Sequence, residues 1–277
     1  LTAVSALSGS QVNFASTITG AQALTIIGNA EFDADVGTGT PLTSLSVAGT
    51  TLLGGHVTTT GAQTFTNITT LTGNRTLTGS GLSLGAVTLE GNTLTVAEAG
   101  TGTIAGVVAN GTGTGRLTMS GTGTLSLTGA TTFDGGLTIT SGTLQIGNGG
   151  TSGSIVDQII TNHSTLVFNR SNAMTLTNVI TGLGAVNQAG SGTVTLSGLS
   201  TYSGATTITA GALRLGAANA LSSSTQVSVV SGATWDLDGF NQTVGSIAGA
   251  GNITLGAADL MSGGVTGDTV FSGVISG

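Results

Sequence analysis

The chain has 277 residues; 49 are Gly, one is Pro, none is Cys, and charge is confined to four Arg and eleven Asp or Glu. An ordinary globular domain carries charge on roughly a quarter of its residues, yet 38% apolar residues and a mean hydropathy of +0.42 exclude a disordered chain. Lys is absent and Glu is scarce while Thr, Ser and Gly dominate, so the composition predicts an all-β fold.

The charge balance narrows the function classes. A net charge of −7 and a pI near 4.3 argue against nucleic acid and anionic membrane surfaces, which need clustered cations. The four Arg (Arg75, Arg116, Arg170 and Arg214) lie far apart. Without Cys there is no disulfide framework and no thiolate metal site, and the chain is compatible with passage through an oxidising compartment. No apolar run approaches the length that a membrane-spanning helix needs, and no basic start precedes an apolar stretch, so neither a transmembrane helix nor a signal peptide is expected. A secreted chain of this kind is expected to be a piece of something longer.

In chain order, the predicted elements are short runs in which an apolar residue alternates with Thr or Ser. Leu24 and Ile26 are echoed by Leu45 and Val47, and Thr-Gly-Ala-Gln at 19–22 returns at 60–63. Further runs follow at Leu125-Ser126-Leu127, Leu137-Thr138-Ile139, Leu144-Gln145-Ile146, Val194-Thr195-Leu196 and Leu213-Arg214-Leu215. Period two over so few residues predicts half-buried strands, with Gly, Asn and Ser between them supplying positive φ at turns. Positions 217–221 are compatible with one helical turn, and nothing longer has a helical period.

Internal repetition sets the architecture. Residues 121–147, GTGTLSLTGATTFDGGLTITSGTLQIG, align without gaps to residues 190–216, GSGTVTLSGLSTYSGATTITAGALRLG. Inside each copy the strand pair recurs at one shared interval: Leu125 and Leu127 before Leu144 and Ile146, Val194 and Leu196 before Leu213 and Leu215. A unit of about 19 to 21 residues with strands this short buries its apolar positions only by stacking on copies of itself. The expectation is an all-β parallel β-solenoid of about 14 coils, with Ile146 directly over Leu127 and Leu215 directly over Leu196 at the ~4.8 Å strand spacing. A jelly roll or sandwich is the alternative; it predicts longer strands, more aromatics and no such echo.

The stretch 190–216 resembles the passenger-associated repeat of bacterial autotransporters and related surface adhesins in some ten positions of one register. Ser200 departs from the family's usual Asn, and the earlier copy has Phe133 and Asp134 where the later has Tyr202 and Ser203. FSGVISG at 271–277 resembles the lead-in to another repeat, and LTNVITG at 176–182 is a weaker version of it. Residues 1–103 resemble filamentous-haemagglutinin-like coils more loosely, through TITGAQALTI and TTTGAQTFTN. The resemblance implies one continuous right-handed parallel β-helix over 1–277: haemagglutinin-like coils over 1–103, two autotransporter-type repeats over 104–216, and further coils over 217–277. It also implies an extracellular or bacterial cell-surface location and a non-catalytic structural or adhesive role.

Several side chains still present candidate chemistry. Glu31, Asp33 and Asp35 alternate with Phe32, Ala34 and Val36, so on a strand their carboxylates share one side and form a weak Ca²⁺ candidate. Asp236 and Asp238 flank Leu237 in the same way. His56 and His163 lie in no motif with a neighbouring acid, although Asp157 is near His163 in sequence, and the expectation is no enzyme and no cofactor. The pairs Thr58/Thr60, Thr93/Thr95, Thr138/Thr140 and Thr207/Thr209 raise an ice-binding face. Trp235 and Tyr202 raise sugar stacking, and a carbohydrate-active or glycan-binding β-helix is the runner-up reading. Sequons at Asn67 and Asn252 occur at the rate the composition produces. Partners are expected to be a host-surface or glycan ligand and further copies of the chain, joined laterally or end to end; Leu1-Thr2-Ala3-Val4 and the stretch after Asp268 are apolar and lack a polar cap, so both ends are expected to continue into further coils or to dock end to end on another copy.

Overall fold

The computed structural model describes residues 3–156, 159–264 and 269–277, and those residues hold strands, turns and bends with no helix. They fall into two compact units, Leu1–Thr143 and Leu144–Gly277. Each is a parallel β-solenoid.

The first unit is walled by three parallel sheets. Its principal sheet runs through Ser5–Leu7, Ala23–Ile26, Ser44–Val47, Gln63–Phe65, Leu82–Leu84, Thr101–Ile104 and Thr124–Leu127. A second sheet runs from Gln11–Phe14 to Val108–Ala109, and a third from Val57–Thr58 to Leu137–Ile139. Leu24 pairs with Leu45 and Ile26 with Val47, the register their echo in the sequence predicts. Alternation sends every second side chain inward. Ile26, Val47, Phe65, Leu84, Ile104 and Leu127 therefore form one column in which no member is more than 1% exposed.

In the second unit the principal sheet comprises Thr143–Ile146, Thr165–Phe168, Ala185–Gln188, Thr206–Ile208, Gln226–Val229 and Ser246–Gly249. A further sheet runs from Met174–Leu176 to Val274–Ser276. Here Leu213 sits over Val194 and Leu215 over Leu196, the predicted register. Trp235 continues the column over Leu213, and Ile253 stands over Trp235.

Coil length varies more than the repeat within 121–147 and 190–216 predicts. Thr51 stands under Thr69, eighteen positions on, and Thr101 under Thr124, twenty-three on. Strand register is fixed by the ladders and by inward alternation, so insertions collect in the corners, where no ladder is interrupted. Positions 217–221 form a turn, with Asn219 in the left-handed region at φ 54°, instead of a helical turn.

The repeat glycines follow the turn-chemistry expectation only in part, with Gly142 and Gly211 at φ 72° and 58°. Gly190, Gly192, Gly198 and Gly204 have no positive φ, nor do their counterparts Gly121, Gly123, Gly129 and Gly135. A Cβ on Gly192 would lie 2.3 Å from the Asn172 carbonyl oxygen, and one on Gly204 2.2 Å from that of Gly184. Those carbonyls belong to the preceding coil. The glycines are required by the close approach of successive backbones at the corners, which no other residue permits.

Candidate functional site

Of the side chains that sequence reasoning singled out, Tyr202, Trp235 and Ser200 are buried, whereas the acidic candidates and both His lie at or near the surface. Tyr202 lies in the turn before Thr206–Ile208 and is fully buried. Its hydroxyl meets Thr206 Oγ1 at 2.6 Å, Thr206 meets Thr225 Oγ1 at 2.9 Å, and Thr225 donates to the Gly204 carbonyl at 2.7 Å. Burial pushes the Tyr202 phenol up to about 12, against the hydrogen bonds from Thr206 and Thr225 that pull it down. Trp235 is also 0% exposed. Neither ring is a sugar platform, because neither face reaches solvent.

Ser200, where the repeat usually has Asn, is buried and keeps its corner bonded. Its hydroxyl accepts from the Ile180 amide at 3.3 Å and donates to the Gly198 carbonyl at 3.3 Å.

Glu98 carried no sequence signal as a lone acid at the end of an alternating run, yet it is only 1% exposed. Its carboxylate accepts from the Gly100 and Leu82 amides, each at 2.8 Å. The space it fills belongs to Gly102, whose Cβ would lie 2.7 Å from Glu98 Oε2. Gly102 stands between Leu82 and Leu125 in an inward column, so the missing side chain is replaced by a carboxylate folded in from the neighbouring wall. Gln188 and Gln242 are buried amides of the same kind. Gln188 Nε2 donates to the Gly190 and Gly192 carbonyls, and Gln242 both accepts from and donates to the backbone of Leu221.

The acidic candidates are dispersed. Glu31 lies on the strand Asn29–Phe32, but Asp33 and Asp35 lie beyond its end, so the three do not share a strand face. Glu31 accepts from Asn13 Nδ2 at 3.1 Å, while Asp35 accepts from the His56 amide at 2.8 Å and from Thr38 Oγ1 at 3.4 Å. Among the described residues, no three His, Asp or Glu are placed to hold a metal ion. His56 Nδ1 accepts the Thr76 amide of the next coil at 3.0 Å, so this side chain bridges coils. His163 is exposed, and Asp157 lies outside the described residues.

Asp236 and Asp238 meet Arg214 from the preceding coil, through Arg214 Nε to Asp236 Oδ2 at 3.4 Å and Arg214 Nη2 to Asp238 Oδ1. Asp238 holds the guanidinium in its charged form, raising its pKa. The register that stacks Arg214 on Asp236 was the signal for this pair, and it is visible only once coil lengths are known.

Members of three of the four threonine pairs, namely Thr58, Thr93 with Thr95, and Thr138, lie on the third sheet of the first unit. Thr95 and Thr138 join Thr76 and Thr118 in a column on the third sheet of the first unit. Thr207 lies on the principal sheet of the second. A shallow groove along Phe14–Thr19 is lined by apolar and hydroxyl side chains and holds no titratable group.

Comparison with known proteins agrees with this geometry. The Passenger-associated-transport-repeat family matches residues 117–146 and 186–215. These two segments hold most of the aligned copies and their corner glycines. In these two segments the β-solenoid resembles autotransporter passengers. It is 35% identical to a curated protein of Brucella suis biovar 1 (strain 1330), "Adhesin BmaC autotransporter", over 71% of this chain. The passenger-like chain spans 7% of that relative's length. No solved structure matches it. No described helix is long and apolar enough to cross a membrane.

Proposed function

We propose that this passenger-like chain is a non-catalytic structural and adhesive segment of a bacterial cell-surface or extracellular protein. The observation that carries the reading is the pairing of a repeat-built solenoid with likeness to an autotransporter adhesin. The interior supports it: Tyr202, Glu98, Gln188 and Gln242 are buried and hydrogen-bond to groups of their own coil or an adjacent one. A catalytic group must instead face a reacting atom with that capacity free. In this reading the coils space and present a surface, and a host-surface ligand meets outward residues.

The test is attachment. Beads coated with the purified chain should bind cultured epithelial cells or immobilised matrix proteins above beads coated with an unrelated β-solenoid, and soluble chain should compete. Attachment no higher than the control, or turnover of a glycan that His56→Ala or His163→Ala abolishes, would overturn the reading.

A further inference from the structure

We propose that Asn110-Gly111 is a self-modification site, at which the Gly111 backbone nitrogen closes on the Asn110 side chain to form a succinimide that water opens to aspartate or isoaspartate. This chemistry goes beyond the adhesive reading and does not rest on it.

Asn-Gly occurs twice in the chain, at 110–111 and 148–149. It is the dipeptide in which the attacking amide is least shielded, because Gly brings no side chain. The two copies meet different surroundings. Asn110 Oδ1 accepts from the Gly115 amide at 2.8 Å and from the Asp134 amide of the next coil at 3.3 Å. These two N–H groups point at the oxygen on which negative charge develops when the side-chain carbon is attacked, the arrangement that stabilises acyl-transfer intermediates. The Gly111 amide makes no hydrogen bond to the described residues, so the attacking nitrogen is uncommitted.

A carboxylate stands beside it. A Cβ on Gly111 would lie 2.4 Å from Glu90 Oε1 and 2.6 Å from Glu90 Cδ, so this acid packs directly on the glycine. Its other oxygen, Oε2, accepts from the Thr112 hydroxyl and, at 3.0 Å, from the Thr112 amide, which fixes the carboxyl over the loop. Those bonds, the hydroxyl's first, hold the Glu90 carboxyl below the usual carboxylate range, so Oε1 is an ionised acceptor. Glu90 is kept at φ 50°, in the left-handed region that favours Gly, and backbone strain of this kind gathers at functional sites. Gly111 to Thr114 are exposed, so water reaches the loop.

The step balances within these groups. Gly111 N passes its proton to Glu90 Oε1 and bonds to Asn110 Cγ; the side-chain nitrogen then leaves as ammonia, taking that proton. Water opens the succinimide at either carbonyl. Attack at the former side-chain carbon gives aspartate, and attack at the main-chain carbon gives isoaspartate. Asn148 is the built-in comparison. It is exposed, but no N–H among the described residues donates to its side chain, and the Gly149 amide is committed to the Asn169 carbonyl at 2.8 Å. Exposure alone favours reaction at 148, whereas the placed donors and acceptor favour 110.

The test is peptide mapping by mass spectrometry, with isoaspartate scored separately, on the full chain held in mildly alkaline buffer. Asn110 should convert at least about tenfold faster than Asn148, a modest share of what positioned donors and a proton acceptor contribute. In urea the two sites should converge, because only the fold distinguishes them. Glu90→Gln should slow Asn110 by about tenfold and leave Asn148 unchanged. Should that variant lose its β-sheet circular dichroism, the unaltered chain compared folded and in urea carries the test. Equal rates at the two sites in the folded chain, an excess at Asn110 that persists in urea, or undiminished conversion in folded Glu90→Gln would overturn the proposal.

Discussion

Tyr202 and Phe133 occupy equivalent places in the two repeats, and their partners change with them: Thr206 under the phenol, Leu137 where the ring is Phe. The hydroxyl pair is therefore a matched unit. Tyr202→Phe should cost about 1 kcal/mol by leaving Thr206 short of a partner. Tyr202→Phe/Thr206→Leu should cost less than the sum of its single changes, which a double-mutant cycle in urea reads directly. Tyr202 is also the sole Tyr, so absorbance at 295 nm follows this one phenol. Its folded pKa, about 12, lies above the unfolded value near 10. The neutral phenol therefore contributes stability fully below pH 10, and that contribution is lost as pH rises from about 10 to 12. Phenolate should form together with unfolding, and phenolate appearing near pH 10 in the folded chain would contradict the burial of this ring. Glu98→Gln keeps the size but replaces one acceptor with a donor facing backbone N–H. It should destabilise the first unit by about 1–3 kcal/mol and speed hydrogen exchange at Leu82 and Gly100.

The close approach of coils decides which glycines matter. Gly192→Ala or Gly204→Ala forces a Cβ against a carbonyl of the preceding coil and should cost about 1–3 kcal/mol or more, read from the denaturation midpoint by Trp235 fluorescence. Gly9→Ala, whose Cβ would meet no atom nearer than 3.6 Å, should change little. The sequence contained the strands, because period two and the recurring Leu and Ile pairs are local signals. It also contained the position of these glycines, but not their reason. A contact between residues one coil apart is invisible until the coil length is known, and that length drifts from coil to coil. Glu98 was hidden for the same reason: its cavity is made by Gly102 and its donors by Leu82 and Gly100, three positions joined only by the fold. The acidic triad fails to share a face because the strand stops at Phe32.

At the scale of the whole chain, fold class and relatives were legible because repetition amplifies a weak local signal, whereas the surface was not. Which hydroxyls form a column depends on summed coil lengths, so Thr76 and Thr118 were missed beside Thr95 and Thr138. The parallel ladders, each coil bonded only to its neighbours, also have a mechanical meaning. Pulled apart by its two termini, such a chain is loaded one rung at a time, and the hydrogen bonds of a rung fail in sequence like a peeled seam. A coil of about 18 to 23 residues releases about 60 to 80 Å of extended chain at roughly 3.3–3.6 Å per residue. Single-molecule stretching should therefore give a sawtooth of low, evenly sized steps of that length. One large rupture releasing most of the contour at once would mean that the rungs share load, and that the coil is not the unit that yields.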